Sequence, residues 1–149
     1  MVNQSIPRRC VLQAGLAAGV SLLVPPAQAC EFVASTLTII HPWTRATGEG
    51  ATSAIVCMTF QDVSQADCLI GAQTPVAEGV ELGGEGVGPL VNFAILEGQT
   101  SVLSERGPHL RLVGLKFPMQ VGRQYPLTLT FAKAGSILAT LSVDYTRFG

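Results

Sequence analysis

The chain has 149 residues, 13% of them charged, and a formal net charge of −1, so it carries no basic excess of the kind a nucleic-acid partner requires. Its length suits one domain whose core needs neither metal nor disulfide to stand alone, and 48% of its residues are hydrophobic.

Residues 1–29 contain no acid but hold Arg8-Arg9, an apolar stretch from Val11 to Val24, and then Pro25-Pro26-Ala27-Gln28-Ala29. A charged start, an apolar middle and small residues two apart are the order of a signal peptide, with cleavage expected after Ala29. The apolar stretch is interrupted by Gly15 and Gly19 and falls short of the ~20 residues a membrane span needs. Arg8-Arg9 followed by Cys10-Val11-Leu12 also resembles a twin-arginine export signal. Cleavage would leave Cys30 first in the mature chain, which raises lipid attachment at that thiol, although Ala27 and Gln28 make an imperfect lipobox. The expected organisation is a signal peptide over 1–29 and one domain over 30–149, working in the periplasm. Contact with a membrane would follow only from a lipid on Cys30. Processing removes two arginines and no acid, leaving seven basic and ten acidic residues and a net charge of −3.

The mature chain reads as all-β. No stretch after residue 30 repeats apolar residues at helical spacing, whereas several alternate with period two. In order, strands are expected near Val33–Ile40, Ser53–Phe60, Cys68–Ala72, Gly79–Leu82, Leu90–Leu96, Gln99–Leu103 and His109–Leu115. The pattern is clearest at the end, where Leu127, Leu129 and Phe131 alternate with Thr128 and Thr130, and Ile137, Ala139, Leu141, Val143 and Tyr145 repeat it. Ala132-Lys133-Ala134-Gly135 between them reads as a hairpin connection with Gly135 at positive φ. Gly83 to Pro89 holds four glycines and a proline in seven residues and is a loop. Many short strands at regular spacing imply a sandwich or barrel.

Three cysteines survive processing, and export exposes them to oxidising conditions. Cys57 lies in the run Ala54–Phe60, and Cys68 opens the next run across the polar turn 61–67. If those runs pair as a hairpin, Cys57 and Cys68 lie in neighbouring strands and a cross-strand disulfide follows, provided their Cα atoms come within ~7 Å. Cys30 is then the odd thiol.

The mature chain resembles the periplasmic copper chaperones of the PCu(A)C type. The resemblance rests on Ile40-His41-Pro42-Trp43-Thr44-Arg45-Ala46-Thr47, on Cys57-Met58-Thr59-Phe60 and on Ala66 through Ala72 with Thr74-Pro75-Val76-Ala77 and Val80-Glu81-Leu82. It continues through Gly107-Pro108-His109-Leu110-Arg111-Leu112-Val113-Gly114-Leu115-Lys116, Gly122 through Phe131, and Ala134-Gly135. It implies a cupredoxin-like Greek-key β-sandwich, binding of copper as Cu(I), and partners in copper transport or cytochrome c oxidase assembly. It also implies a ligand set of two His and two Met. Of these positions this chain keeps only His109. Gly83 stands where the first His is expected, no Met occurs between Met58 and Met119, and Arg111 replaces the last Met. A guanidinium stays protonated and offers no lone pair to a cation.

Other residues carry less. His109 without companions also reads as a partly buried histidine bonded to backbone, and His41 before Pro42-Trp43 as part of the core's edge. Cys57, Met58, Cys68 and His109 could make a substitute soft site, but adjacent strand residues such as Cys57 and Met58 face opposite sides. Enzymatic chemistry is not indicated, since there is no Gly-x-Ser-x-Gly elbow, no metal-ligand His pair and no phosphate-binding glycine motif. The alternative to copper handling is a metal-free binding or scaffold module that retains the sandwich.

Overall fold

The computed structural model describes residues 31–84 and 88–144, so the expected signal peptide over 1–29, Cys30, Glu85 and Tyr145 lie outside the described residues. Among the described residues there are ten strands and no helix: β1 (Glu31–Val33), β2 (Thr38–Arg45), β3 (Ser53–Gln61), β4 (Asp67–Gln73), β5 (Ala77–Gly83), β6 (Phe93–Ile95), β7 (Ser101–Leu103), β8 (His109–Leu115), β9 (Gln124–Phe131) and β10 (Gly135–Asp144). Hydrogen bonding orders them β5-β8-β3-β2-β10-β9-β4-β6, with β1 on β2 and β7 on β3. Every pairing is antiparallel except β2 with β10, where the chain's first long strand meets its last. The sheet curls on itself so that β4 and β5 approach across the opening.

Period-two alternation does what it promises. Leu127, Leu129 and Phe131 of β9 and Ile137, Ala139, Leu141 and Val143 of β10 are all buried, and their intervening neighbours face outward. Gly135 closes the hairpin at φ +82°, as its position implies. Phe60, Phe93 and Phe131 meet at the centre, Phe60 and Phe131 edge to face at 5.9 Å.

The expected strand from Val33 to Ile40 is instead two. Ala34 N–H donates to Leu37 C=O at 2.8 Å, so Ser35-Thr36 turn the chain and β1 folds back antiparallel on β2. The Leu90–Leu96 run is ordered as strand only over β6.

β4 begins with a buried carboxylate. Asp67, 8% exposed, accepts N–H bonds from Cys68 (2.8 Å), Lys133 (2.7 Å) and Ala134 (2.9 Å), and thereby pins the β9–β10 turn to the start of β4.

The expected Cys57–Cys68 disulfide does not form, and both thiols are free. Their strands follow one another in the chain but do not pair. β3 lies between β2 and the β8–β7 run, whereas β4 lies between β9 and β6. The Cys68 thiol donates to Asn92 Oδ1 at 2.9 Å, and Cys57 is buried opposite Trp43 of β2.

Candidate functional site

The antiparallel register of β5 and β8 sets Gly83 opposite His109 and Glu81 opposite Arg111. Three of the positions that the resemblance marks for metal ligands or their replacements therefore share one edge of the sheet. His109 is the first residue of β8, placed there by the turn Ser104–Pro108. In that turn Ser104 N–H donates to Pro108 C=O (2.8 Å), and Gly107 N–H donates to Ser104 C=O (3.2 Å) and Oγ (3.1 Å).

The His109 ring is held at one nitrogen. Nδ1 lies 3.0 Å from Gly107 C=O, and because a carbonyl only accepts, Nδ1 carries the proton, which in the neutral ring leaves the lone pair on Nε2. The Nε2 edge rests over Gly83, where an added Cβ would come within 2.6 Å of Nε2. Gly84, at φ +120°, lets the chain pass close beneath the turn, since a Cβ there would stand 2.9 Å from Gly107 C=O. The imidazole thus fills the space that a side chain at 83 would claim.

One pleat further along, Arg111 Nη2 donates to Glu81 Oε1 at 3.1 Å, with both side chains substantially exposed. The guanidinium is partnered across the strands at the position the resemblance gives to a thioether. Both methionines among the described residues are core residues, Met58 and Met119 being 2% and 1% exposed, so neither offers sulfur at this edge. Among the described residues no group of three His, Cys, Asp or Glu side chains is placed to hold a metal ion.

Neither the substitute soft site nor His41 joins this edge. His41 sits in a bulge of β2 at φ +49°, and its Nε2 pairs with Asp144 Oδ2 at 2.9 Å. Cys57 faces a cleft of about 730 Å³, bounded by Ile40, His41, Trp43, Val102 and Glu105. Burial, and after it the nearby Glu105 carboxylate, push its thiol pKa up to about 12 against the opposing pull of Arg45, so it is no ready thiolate.

Sequence reasoning did not find the ion pair beside that cleft. Arg45 Nε donates to Glu105 Oε2 at 2.6 Å and Arg45 Nη2 to Oε1 at 3.0 Å, a two-pronged grip from β2 on the β7–β8 turn. Bonding to Arg45 holds the Glu105 carboxyl below its ordinary pKa, and the Arg45 pKa is raised by the same bond. The residues are sixty positions apart, and nothing in their local sequence couples them.

The family model described as "Putative lipoprotein LpqE-like" matches residues 37–143, from the end of the β1–β2 turn to the penultimate residue of β10. The chain belongs to the LpqE-like family. This LpqE-like domain is also similar to solved PCuAC domains, in line with the expected cupredoxin-like fold. A copper-bound PCuAC domain from PmoF2 is 26% identical, with a TM-score of 0.70, over 77% of this chain and 97% of that one. An apo PCuAC domain from PmoF1 is 22% identical, with a TM-score of 0.71, over 77% and 98%. The solution structure of CuI-DR1885 from Deinococcus radiodurans is 24% identical, with a TM-score of 0.62, over 88% and 85%. At their lower identities the last two bear on the fold alone. A comparison with curated proteins gave no match.

Proposed function

We propose that this LpqE-like protein is an exported, non-enzymatic copper-handling protein that presents His109 Nε2 to Cu(I). The observation that carries this reading is the tautomer. With its Nδ1–H bonded to Gly107, His109 leaves Nε2 as the nitrogen able to bind a soft cation, on the same domain architecture as a copper-bound relative. Because Met58 and Met119 are buried, the described residues of one copy bring a single soft donor to this edge, and the remaining donors come from the protein that gives or receives the copper. Copper is cargo in this reading, and the partners are copper-transport proteins or the assembly machinery of cytochrome c oxidase. Export rests on residues 1–29, and the lipoprotein description of the family supports a lipid anchor on Cys30.

A second reading is favoured by one specific observation. The imidazole resting on Gly83 and the Glu81–Arg111 pair together fill the metal positions with protein groups, as a metal-free binding module would.

An anaerobic Cu(I) titration of the reduced mature protein against a chromophoric chelator, with His109→Ala alongside, separates the two. Competition with the chelator that disappears in His109→Ala supports copper handling. No competition by the wild type overturns it in favour of the metal-free module.

A further inference from the structure

We infer that Arg45 and Glu105 are positioning residues that set the tautomer of His109 from the opposite side of the β7–β8 turn. The inference rests on the reading of His109 as a copper ligand for its significance, but not for its test.

The chain of contacts is continuous. Arg45 projects from β2 and grips both Glu105 carboxylate oxygens, at 2.6 and 3.0 Å, with the two side chains about one-third exposed. Glu105 belongs to the turn that Ser104, Gly107 and Pro108 close by three hydrogen bonds of 2.8, 3.2 and 3.1 Å. The product of that turn is the direction of the Gly107 carbonyl, which receives His109 Nδ1–H at 3.0 Å. Gly84, lying against Gly107 C=O and Pro108 Cα, supports the carbonyl from the other side, so the turn is held between β2 and the end of β5.

The chemistry gives this arrangement a consequence. Free histidine in water favours the Nε2–H tautomer, which would leave Nδ1, crowded against its own backbone, as the donor atom. A fixed carbonyl at Nδ1 reverses that preference and turns the lone pair to Nε2, the nitrogen remote from the residue's own backbone. A salt bridge that fixes two long side chains and a turn does this through the carbonyl it orients, with no hydrogen bond to the imidazole, and the Glu105 carboxylate also interacts with His109 by charge. Bidentate Arg–carboxylate geometry is suited to the task because it restricts orientation as well as distance.

The test is ¹⁵N NMR of the His109 ring, at a pH above the range where histidine protonates, on the full mature chain. Wild type is expected in the Nδ1–H form. In Glu105→Ala the ring is expected to move toward the Nε2–H mixture of free histidine, with the β-sheet amide spectrum retained. Glu105→Gln, which keeps a neutral acceptor for Arg45, should lie between the two. If Glu105→Ala fails to fold, Arg45→Lys, with one ammonium in place of the fork, is expected to shift the ring in the same direction. A wild-type ring in the Nε2–H form overturns the inference, and so does a folded Glu105→Ala whose His109 spectrum is unchanged. The copper titration fails independently. An Nδ1–H ring that never binds Cu(I) would leave the clamp standing and sink the copper reading, whereas Cu(I) binding through an Nε2–H ring would do the reverse.

Discussion

A carboxylate ties two strands together near each end of the sheet, and the two ties differ in kind. Near one end Asp67 is buried and accepts three backbone N–H groups at 2.7–2.9 Å, joining β4 to the β9–β10 turn. At the other, Glu81 on the edge strand β5 meets Arg111 of β8 through a single 3.1 Å contact, with both side chains facing solvent. Opposite charges are present only at the second, yet the first is the stronger tie. Buried donors that lose their acceptor stay unsatisfied, whereas exposed ions that part are rehydrated. Glu105, partly exposed but gripped at both oxygens by Arg45, stands between these limits.

The comparison breaks first at Asp67. Asp67→Ala strips three part-buried backbone N–H groups of their buried acceptor, and chemical denaturation should show a loss of about 2–3 kcal/mol. A loss below ~1 kcal/mol would mean that water replaces the carboxylate and that burial is not what separates the two ties.

Glu105→Ala comes next in size. It removes the ion pair beside the cleft that Cys57 faces, so alkylation of native Cys57 should rise from near silence toward the rate of the more exposed Cys68, with a fall in Tm. Continued silence would place the protection in Trp43 and its neighbours. In the unfolded, unreduced protein both thiols should label, because neither is in a disulfide.

The Cys57 thiol predicts a smaller, pH-dependent effect. Its folded pKa of about 12 lies above the ~8.5 of an unfolded cysteine, so its contribution is complete below that unfolded value and is lost progressively as pH rises toward 12. Unfolding measured between pH 8 and 10 should show a steeper alkaline decline for wild type than for Cys57→Ala. Glu105 gives the opposite sign. Its pKa is lowered on folding, so its contribution is present at neutral pH and disappears as pH falls through the folded value. Glu105→Gln should flatten that acid limb.

Smallest of all, Glu81→Gln should change stability by less than ~0.5 kcal/mol, as exposed pairs do. Arg111→Met, equally mild in stability, removes a fixed positive charge near His109 and adds a thioether, and should strengthen competition for Cu(I) in the chelator titration. No gain would locate the barrier at Gly83 and the ring that rests there.

Several parts of the fold were legible because their cause is local. Alternation in β9 and β10 is a property of neighbouring residues, and Gly135 is the residue a left-handed turn position prefers. The β1–β2 turn was not legible, since Ser35-Thr36 lacks the Gly, Pro, Asn or Asp that marks a tight connection. The disulfide was misjudged for a different reason. Strands adjacent in sequence usually pair, but β3 and β4 enter the sheet at separate places, which divides Cys57 from Cys68. At the candidate site, the resemblance located His109, Gly83 and Arg111, while the partners that define their states, Gly107 C=O and Glu81, emerged only from register.

The sequence by itself determined an all-β domain, the faces its last strands bury, and which donor types are available beyond residue 29: two histidines, two methionines, and an arginine where a thioether is expected. Those follow from composition and from periodicities spanning a few residues. Only the tertiary structure decided that the methionines are core, that β4 parts from β3, that His109 carries its proton on Nδ1, and that Arg45 reaches across sixty residues to Glu105. Each of these depends on strand order and register, which are fixed by burying the whole sheet's inner face at once rather than by any segment alone.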